Sequence, residues 1–216
     1  MNTNSDIEPI LEVTKEHKER EEKQAELLTF TGKPQSCCVS LIDIVNSTKT
    51  TSGIPEDKLG IFYSVFLNFI SNIIKKHGGI VVKNIGDSLL YYFADYKEEH
   101  NSIIDSCYCN LDIIDKRHDL NKILEEEGLP NISYRVSSDY GKVLVAVSIL
   151  SSINDIFGPT VNMCAKINHI GNANKFFVGN DLYLNAKKNH EFKFEEIVDN
   201  QLTILKNSYP IYYVKK

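Results

Sequence analysis

No stretch of this 216-residue chain reaches the roughly 18 consecutive apolar residues of a membrane-spanning helix. The opening residues, MNTNSDIEPI, lack the basic and apolar regions of a secretory signal. An excess of basic residues is missing too. The 24 Lys and Arg against 29 Asp and Glu leave a net charge of -5, the opposite of the basic face that a nucleic-acid binder carries. That balance still leaves room for a local basic pocket for a small phosphate ligand. The five cysteines (Cys37, Cys38, Cys107, Cys109 and Cys164) are odd in number and are not spaced as a zinc site. Cys107 and Cys109, two apart in a helical pattern, point to different faces. All five read as reduced, mostly buried thiols, so the expected setting is the cytoplasm.

What is present suits one globular domain with a short extension: 42% hydrophobic and 25% charged residues, and enough length for a sizeable core. There is no internal repeat and no low-complexity segment. Residues 5–29 are polar and charge-dense, and apolar heptad positions lapse from Thr14 to Gln24. The pattern predicts an exposed helix rather than a coiled coil, with a regulatory partner as an alternative use. TGKPQS (Thr31 to Ser36) reads as a linker. The expected division is residues 1–35 as charged helix and linker, and 36–216 as the functional domain.

CCVSLID (Cys37 to Asp43) reads as a buried strand ending in a carboxylate. Pro55 marks a helix start. Leu59, Phe62, Phe66, Phe69 and Ile73 then recur at three and four residues, an amphipathic helix that His77-Gly78-Gly79 ends. In GGIVVKNIGDSLLYYF (Gly78 to Phe93), two runs of β-branched and aromatic residues flank the polar knot KNIGDS, predicting a hairpin. Residues 97–126 carry a second helix, stopped by Gly128 and Pro130. NISYRVSSDYGKVLVAVSI reads as two strands about Tyr140-Gly141. A third helix covers Phe157 to Ile170, KFFVG a strand and DLYLNAKK a small helix. EFKFEEIV, QLTIL and YPIYYV finish as strands. The expected class is α+β: a ferredoxin-like core, its sheet mostly antiparallel, with helices packed against it.

Asp43 and Asp87 both stand at strand ends. In a ferredoxin-like core the first strand and the central hairpin can be neighbours, so the two carboxylates can meet at one sheet edge. There they would share a hard divalent cation, or each would support a local turn. The small-residue loop IVNSTKTTS can offer backbone N–H groups to an anion. In NDIFGPTVNMCAKI (Asn154 to Ile167), Asp155 can cap the following helix. Asn162 and Lys166, four apart, share one helix face.

Four blocks, LIDIVNSTK, HGGIVVKNIGDSLLYYF, YRVSSDYGKVLVA and NDIFGPTVNMCAKI, resemble the catalytic domain of the class III nucleotidyl cyclases in the family's order. A weaker tail, LKNSYPIYYV, fits as well. The likeness covers roughly residues 36–215. It implies that Asp43 and Asp87 hold two Mg²⁺ or Mn²⁺ ions, assisted by the Ile44 carbonyl. Val45, Asn46, Ser47 and Thr48 would cradle the triphosphate, and Lys206 its terminal phosphates. Lys83 and Asp155 would read the base, Asn162 would orient the ribose, and Lys166 would stabilise the transition state. The family's catalytic domains pair head to tail, so a homodimer is implied, with sites at its interface.

The implied reaction is ATP to 3′,5′-cyclic AMP and pyrophosphate. Lys83 donates and ionised Asp155 accepts, which matches adenine's ring nitrogen and amino group. A guanylate cyclase, and a degenerate domain acting as a nucleotide-binding or regulatory module, are the alternatives. The GGDEF-type hairpin of a diguanylate cyclase is absent. Departures from the family pattern are Lys166 for arginine, Asn46 for a glycine, Ala146 for a second glycine, and Asp139 where histidine or asparagine is frequent.

Overall fold

The computed structural model describes residues 28–30, 32–94, 101–148, 154–197 and 209–216. Residues 1–27, most of the expected N-terminal helix, lie outside the described residues, as do the expected strand QLTIL and Lys206. Leu28–Phe30 forms a short strand, β1, where the charge pattern predicts the end of a helix.

Strand β2 (Gln35–Ile44) is central. Its even-numbered residues Cys38, Ile42 and Ile44 enter one apolar cluster, and Cys37 and Val39 enter another on the opposite face. That is the period-2 alternation of a strand covered on both sides. After a turn and the five-residue helix α1 (Ser47–Thr51), α2 (Glu56–Lys76) buries Phe62, Phe66, Ile70, Ile73 and Ile74. Pro55 lies just ahead of its first turn, and Gly78, at φ 77, follows its end. The expected hairpin is β3 (Ile80–Ile85) and β4 (Ser88–Ala94).

The helix expected over residues 97–126 is two helices, α3 (Ser102–Asp115) and α4 (Arg117–Glu126), broken at Lys116. Each half carries its own buried stripe, so periodicity alone does not show a one-residue break. The two strands expected about Tyr140-Gly141 are one continuous strand, β5 (Tyr134–Ser148). A Cβ at Gly141 would lie 2.5 Å from the Thr160 hydroxyl. The glycine therefore serves the close approach of a helix and not a turn. NDIF forms strand β6 (Asn154–Phe157), so Asp155 is not a helix cap. Helix α5 (Pro159–Ile170), β7 (Phe176–Gly179), α6 (Asn180–Ala186), β8 (Lys193–Glu196) and β9 (Ile211–Lys215) complete the described elements.

The sheet order is β3-β4-β2-β5-β7-β9-β8, with β1 and β6 both paired to β5. Only β5 with β7 is parallel among the described pairings. The run β5-β2-β4-β3 is the ferredoxin-like order, as expected. Helices α2, α3, α4 and α6 cover one face through the larger core cluster. Among the described helices, α5 contributes to the two clusters on the other face, through Cys164 and Ile167. A polar seam crosses the larger core. Asn110 donates to Ser138 at 2.8 Å and Ser106 at 3.1 Å, and accepts from the Tyr91 hydroxyl at 2.5 Å. With its partners satisfied, such a seam fixes the register of α3 on the sheet. Among the described residues no helix is long and apolar enough to cross a membrane.

Candidate active site

The pairing of β2 with its neighbours places Asp43 opposite Ser88 on β4 and Arg135 on β5. Asp43 Oδ1 accepts from the Ser88 hydroxyl at 2.5 Å, and Oδ2 accepts from Arg135 Nη2 at 2.6 Å. Asp87 directly precedes Ser88 in the hairpin turn, which Gly86 closes at φ 62. The two expected carboxylates therefore stand at the same end of the sheet. Both are only half-buried. Ile44, next along β2, is buried in the larger core.

The loop after β2 is more ordered than its small residues suggest. The Val45 N–H donates to the Ser133 carbonyl at 2.8 Å. Asn46 takes the left-handed conformation, φ 57, before Ser47 and Thr48 enter α1. That region favours glycine and tolerates asparagine, so Asn46 keeps the backbone path that a glycine there would take.

Arg135 is a residue of this cluster that sequence reasoning missed. Its guanidinium also donates to the His169 carbonyl at 3.0 Å, and its Nε is buried with no hydrogen-bond partner among the described residues. A charged residue between the buried Tyr134 and Val136 is the available signal, but its meaning depends on the register with Asp43. The ion pair bears on whether a divalent cation fits. Arg135 already neutralises Asp43 and competes with a cation for Oδ2, so a divalent ion at this end of the sheet has to share or displace the guanidinium. A carboxylate has about four lone-pair positions, so the two existing hydrogen bonds leave Asp43 able to ligate. Among the described residues no group of three His, Cys, Asp or Glu side chains forms a metal cage. Two carboxylates without a third fit a hard ion such as Mg²⁺ that also takes phosphate oxygens.

A second cluster forms 72 residues apart in sequence: Lys83 Nζ on β3 donates to Asp155 Oδ2 on β6 at 2.5 Å. Register shifts by one residue between Val81 and Lys83, a bulge that re-aims the lysine. Asp155 Oδ1 also accepts from the Ile156 N–H at 2.8 Å. The lysine stays accessible, with its side chain 42% exposed. Asn162 and Lys166 are both exposed, one turn apart on α5. Among the described residues neither is joined to Asp43, Asp87, Lys83 or Asp155 by a hydrogen bond or ion pair. The single chain thus assembles the carboxylate end and the Lys83–Asp155 pair, and leaves the Asn162–Lys166 face open.

A third acidic residue has a different character. The Tyr209 hydroxyl donates to both oxygens of Asp139, at 3.0 and 2.9 Å, and accepts from the Asp181 N–H at 3.0 Å. Burial pushes the Asp139 carboxyl up to about 7; Tyr209 and the Tyr140 N–H oppose the rise, and Asp181 adds to it. The folded state therefore holds a proton that the unfolded state loses near pH 4. Stability is full below that pH and falls as pH rises toward 7, by on the order of 2–4 kcal/mol. Asp139→Asn removes this slope, so urea unfolding at pH 5 and pH 8 should differ less for the variant than for the native chain.

Residues 31–216 match the family of adenylate and guanylate cyclase catalytic domains. The chain belongs to that family. It is 24% identical over 176 residues to a protein named cytidylate cyclase from Staphylococcus aureus, a match covering 77% of this chain and 42% of that protein. The chain thus spans less than half the length of this relative. Among solved structures it is similar to the adenylyl cyclase CyaB from P. aeruginosa, with a TM-score of 0.76 at 17% identity, covering 85% of this chain and 95% of that one. It is also similar to the non-canonical dimeric guanylyl cyclase domain of the RhoGC fusion protein from Blastocladiella emersonii. There the TM-score is 0.73 at 20% identity, over 85% of this chain and 98% of that one. A cyclase domain of this class has a mixed sheet with helices against it, as found here.

Proposed function

We propose that this cyclase domain converts ATP to 3′,5′-cyclic AMP and pyrophosphate as a head-to-tail homodimer. The observation that carries the reading is the Lys83–Asp155 pair. It sets a donor beside an acceptor, which suits a base edge with a ring nitrogen next to an amino group. Guanine would turn its O6 acceptor toward Asp155, and two acceptors repel. Substrate binding replaces the intramolecular bond between Lys83 and Asp155 with two bonds to the base, so neither group is left without a partner.

The remaining roles follow the same reading. Asp43 and Asp87, with the Ile44 carbonyl, are the ligands for two Mg²⁺ or Mn²⁺ ions. Bound there, such ions lower the pKa of the ribose 3′-hydroxyl and neutralise the triphosphate. Val45, Asn46, Ser47 and Thr48 flank the triphosphate, and Lys206 holds its end. Arg135, released from Asp43, has a bidentate fork suited to phosphate oxygens. Asn162 orients the ribose so that its 3′-oxygen lies in line with the α-phosphorus, and Lys166 offsets charge as the pyrophosphate leaves. In a head-to-tail pair the open Asn162–Lys166 face of one copy completes the carboxylate end of the other. A regulator would act through residues 1–35, and 36–216 would be the catalytic domain, in a cytoplasmic setting.

A second reading, cyclic CMP from CTP, has its own support. Cytosine also presents an amino donor beside a ring acceptor, and the Staphylococcus aureus relative is named a cytidylate cyclase. Purified protein incubated with ATP, CTP, GTP or UTP and Mg²⁺ or Mn²⁺ separates the readings. Cyclic AMP as the main product supports the first and cyclic CMP the second. Cyclic GMP or cyclic UMP as the main product overturns the donor–acceptor argument, and no product with any nucleotide overturns catalysis.

A further inference from the structure

We infer that Phe30, on a strand that precedes the family match, forms an aromatic wall of the base site. The inference rests on the base-reading role proposed for Lys83 and Asp155.

Strand β1 pairs antiparallel with the end of β5, placing Phe30 opposite Ala146. On the other side of β5, Ala146 lies opposite Asp155 of β6. Opposed residues on neighbouring antiparallel strands share a face. Phe30, Ala146 and Asp155 therefore form a row across three strands, with Leu144 and Phe157 in the adjoining row. The rings of Phe30 and Phe157 meet edge to face, with centroids 5.6 Å apart. Ala146 is buried. Its small side chain leaves room for the two rings to meet; a larger one would hold them apart. Lys83 Nζ, bonded to Asp155, also lies 5.9 Å from the centre of the Phe157 ring.

One face of this arm thus gathers a donor, an acceptor and two aromatic rings. A nucleobase needs all of these: polar groups in its plane and apolar surface against its face. Phe157 already has Phe30 and the lysine against it. Phe30 is 53% exposed, so much of its ring is open beside the pair that reads the edge. Stacking accepts any base, so Phe30 supplies affinity while Lys83 and Asp155 supply choice. Through β1, the chain that leads into the cyclase domain is tied directly to substrate affinity.

The chain has no tryptophan, so Phe30→Trp installs a single indole reporter. Titration with ATP and with CTP should quench its fluorescence saturably, and adding Lys83→Ala should shift that titration at least tenfold. In turnover, Phe30→Ala should raise KM about tenfold, within the roughly 5- to 150-fold worth of base–aromatic stacking. Its kcat should stay within about threefold, its dimer affinity should be unchanged, and Phe30→Tyr should restore KM. Unquenched fluorescence in a protein that still turns over, with KM unchanged in Phe30→Ala, overturns the inference. So does a weakened dimer at unchanged KM, which would make Phe30 an interface residue. If Lys83→Ala raises KM and Phe30→Ala does not, the wall alone fails. If neither changes KM for any nucleotide, the base-reading assignment fails with it.

Discussion

Asp43→Asn should lower kcat by about 10²- to 10³-fold, the loss expected when several kcal/mol of metal-derived charge stabilisation are removed. Asparagine is preferred to alanine here because Arg135 sits 2.6 Å from the carboxylate. Alanine would strand a half-buried guanidinium, and the resulting destabilisation would confuse the assay. Asparagine can still accept from Arg135 through its oxygen and donate through its amide nitrogen to the Ser88 hydroxyl oxygen, but it gives up its charge, so the fold should survive with a loss of about 1–2 kcal/mol in urea unfolding. Asp87→Asn should show a comparable loss of activity. The sharper result comes from mixing two inactive chains, Asp43→Asn and Lys83→Ala. If the metal ligands of each site come from one copy and the base readers from the other, a mixed dimer has one fully native site and one doubly damaged site. Random pairing makes about half of the dimers mixed, so about a quarter of the native activity should return. No recovery, with exchange of subunits demonstrated, would mean that each site draws both groups from the same chain.

The sequence made one half of this site visible more readily than the other. Asp43 and Asp87 end apolar runs of strand character, and a ferredoxin-like order makes those strands neighbours, so their convergence follows from pattern and topology. Lys83 and Asp155 carry no such local signal. They lie 72 residues apart and meet because β6 returns along the end of β5, beyond the reach of β2. Only the likeness to a family joined them beforehand. Arg135 shows the limit from the other side: a lone arginine between buried neighbours has no meaning until register sets it opposite Asp43. Tyr140-Gly141 reads as a turn because a turn glycine and a close-approach glycine look alike in sequence. The decisive group, the Thr160 hydroxyl, belongs to a distant helix. Phe30 follows a charge run and precedes a linker. Its strand exists because the end of β5 has an edge to pair, which is a property of tertiary structure and not of local propensity.

Lys166→Arg should raise kcat about tenfold or more with KM nearly unchanged. The family usually carries arginine at this place, and a planar fork engages two phosphate oxygens where an ammonium offers a single point of charge. An interaction made mainly in the transition state moves kcat and leaves ground-state binding alone. On the same logic Lys166→Ala should lower kcat about 10²-fold, the usual loss for one positioned donor. The structure makes both variants clean to interpret. Lys166 is exposed on α5, so either change should shift stability by no more than about 0.5 kcal/mol. Unchanged kcat in both would remove Lys166 from the site. A loss in alanine without a gain in arginine would mean that the remainder of the site has been shaped around a point charge. The neighbouring Asn162 distinguishes these outcomes. Asn162→Ala should lower kcat in the native and the Lys166→Arg backgrounds by the same factor if the two residues act independently on ribose and phosphate. Unequal factors would show them coupled through the bound nucleotide.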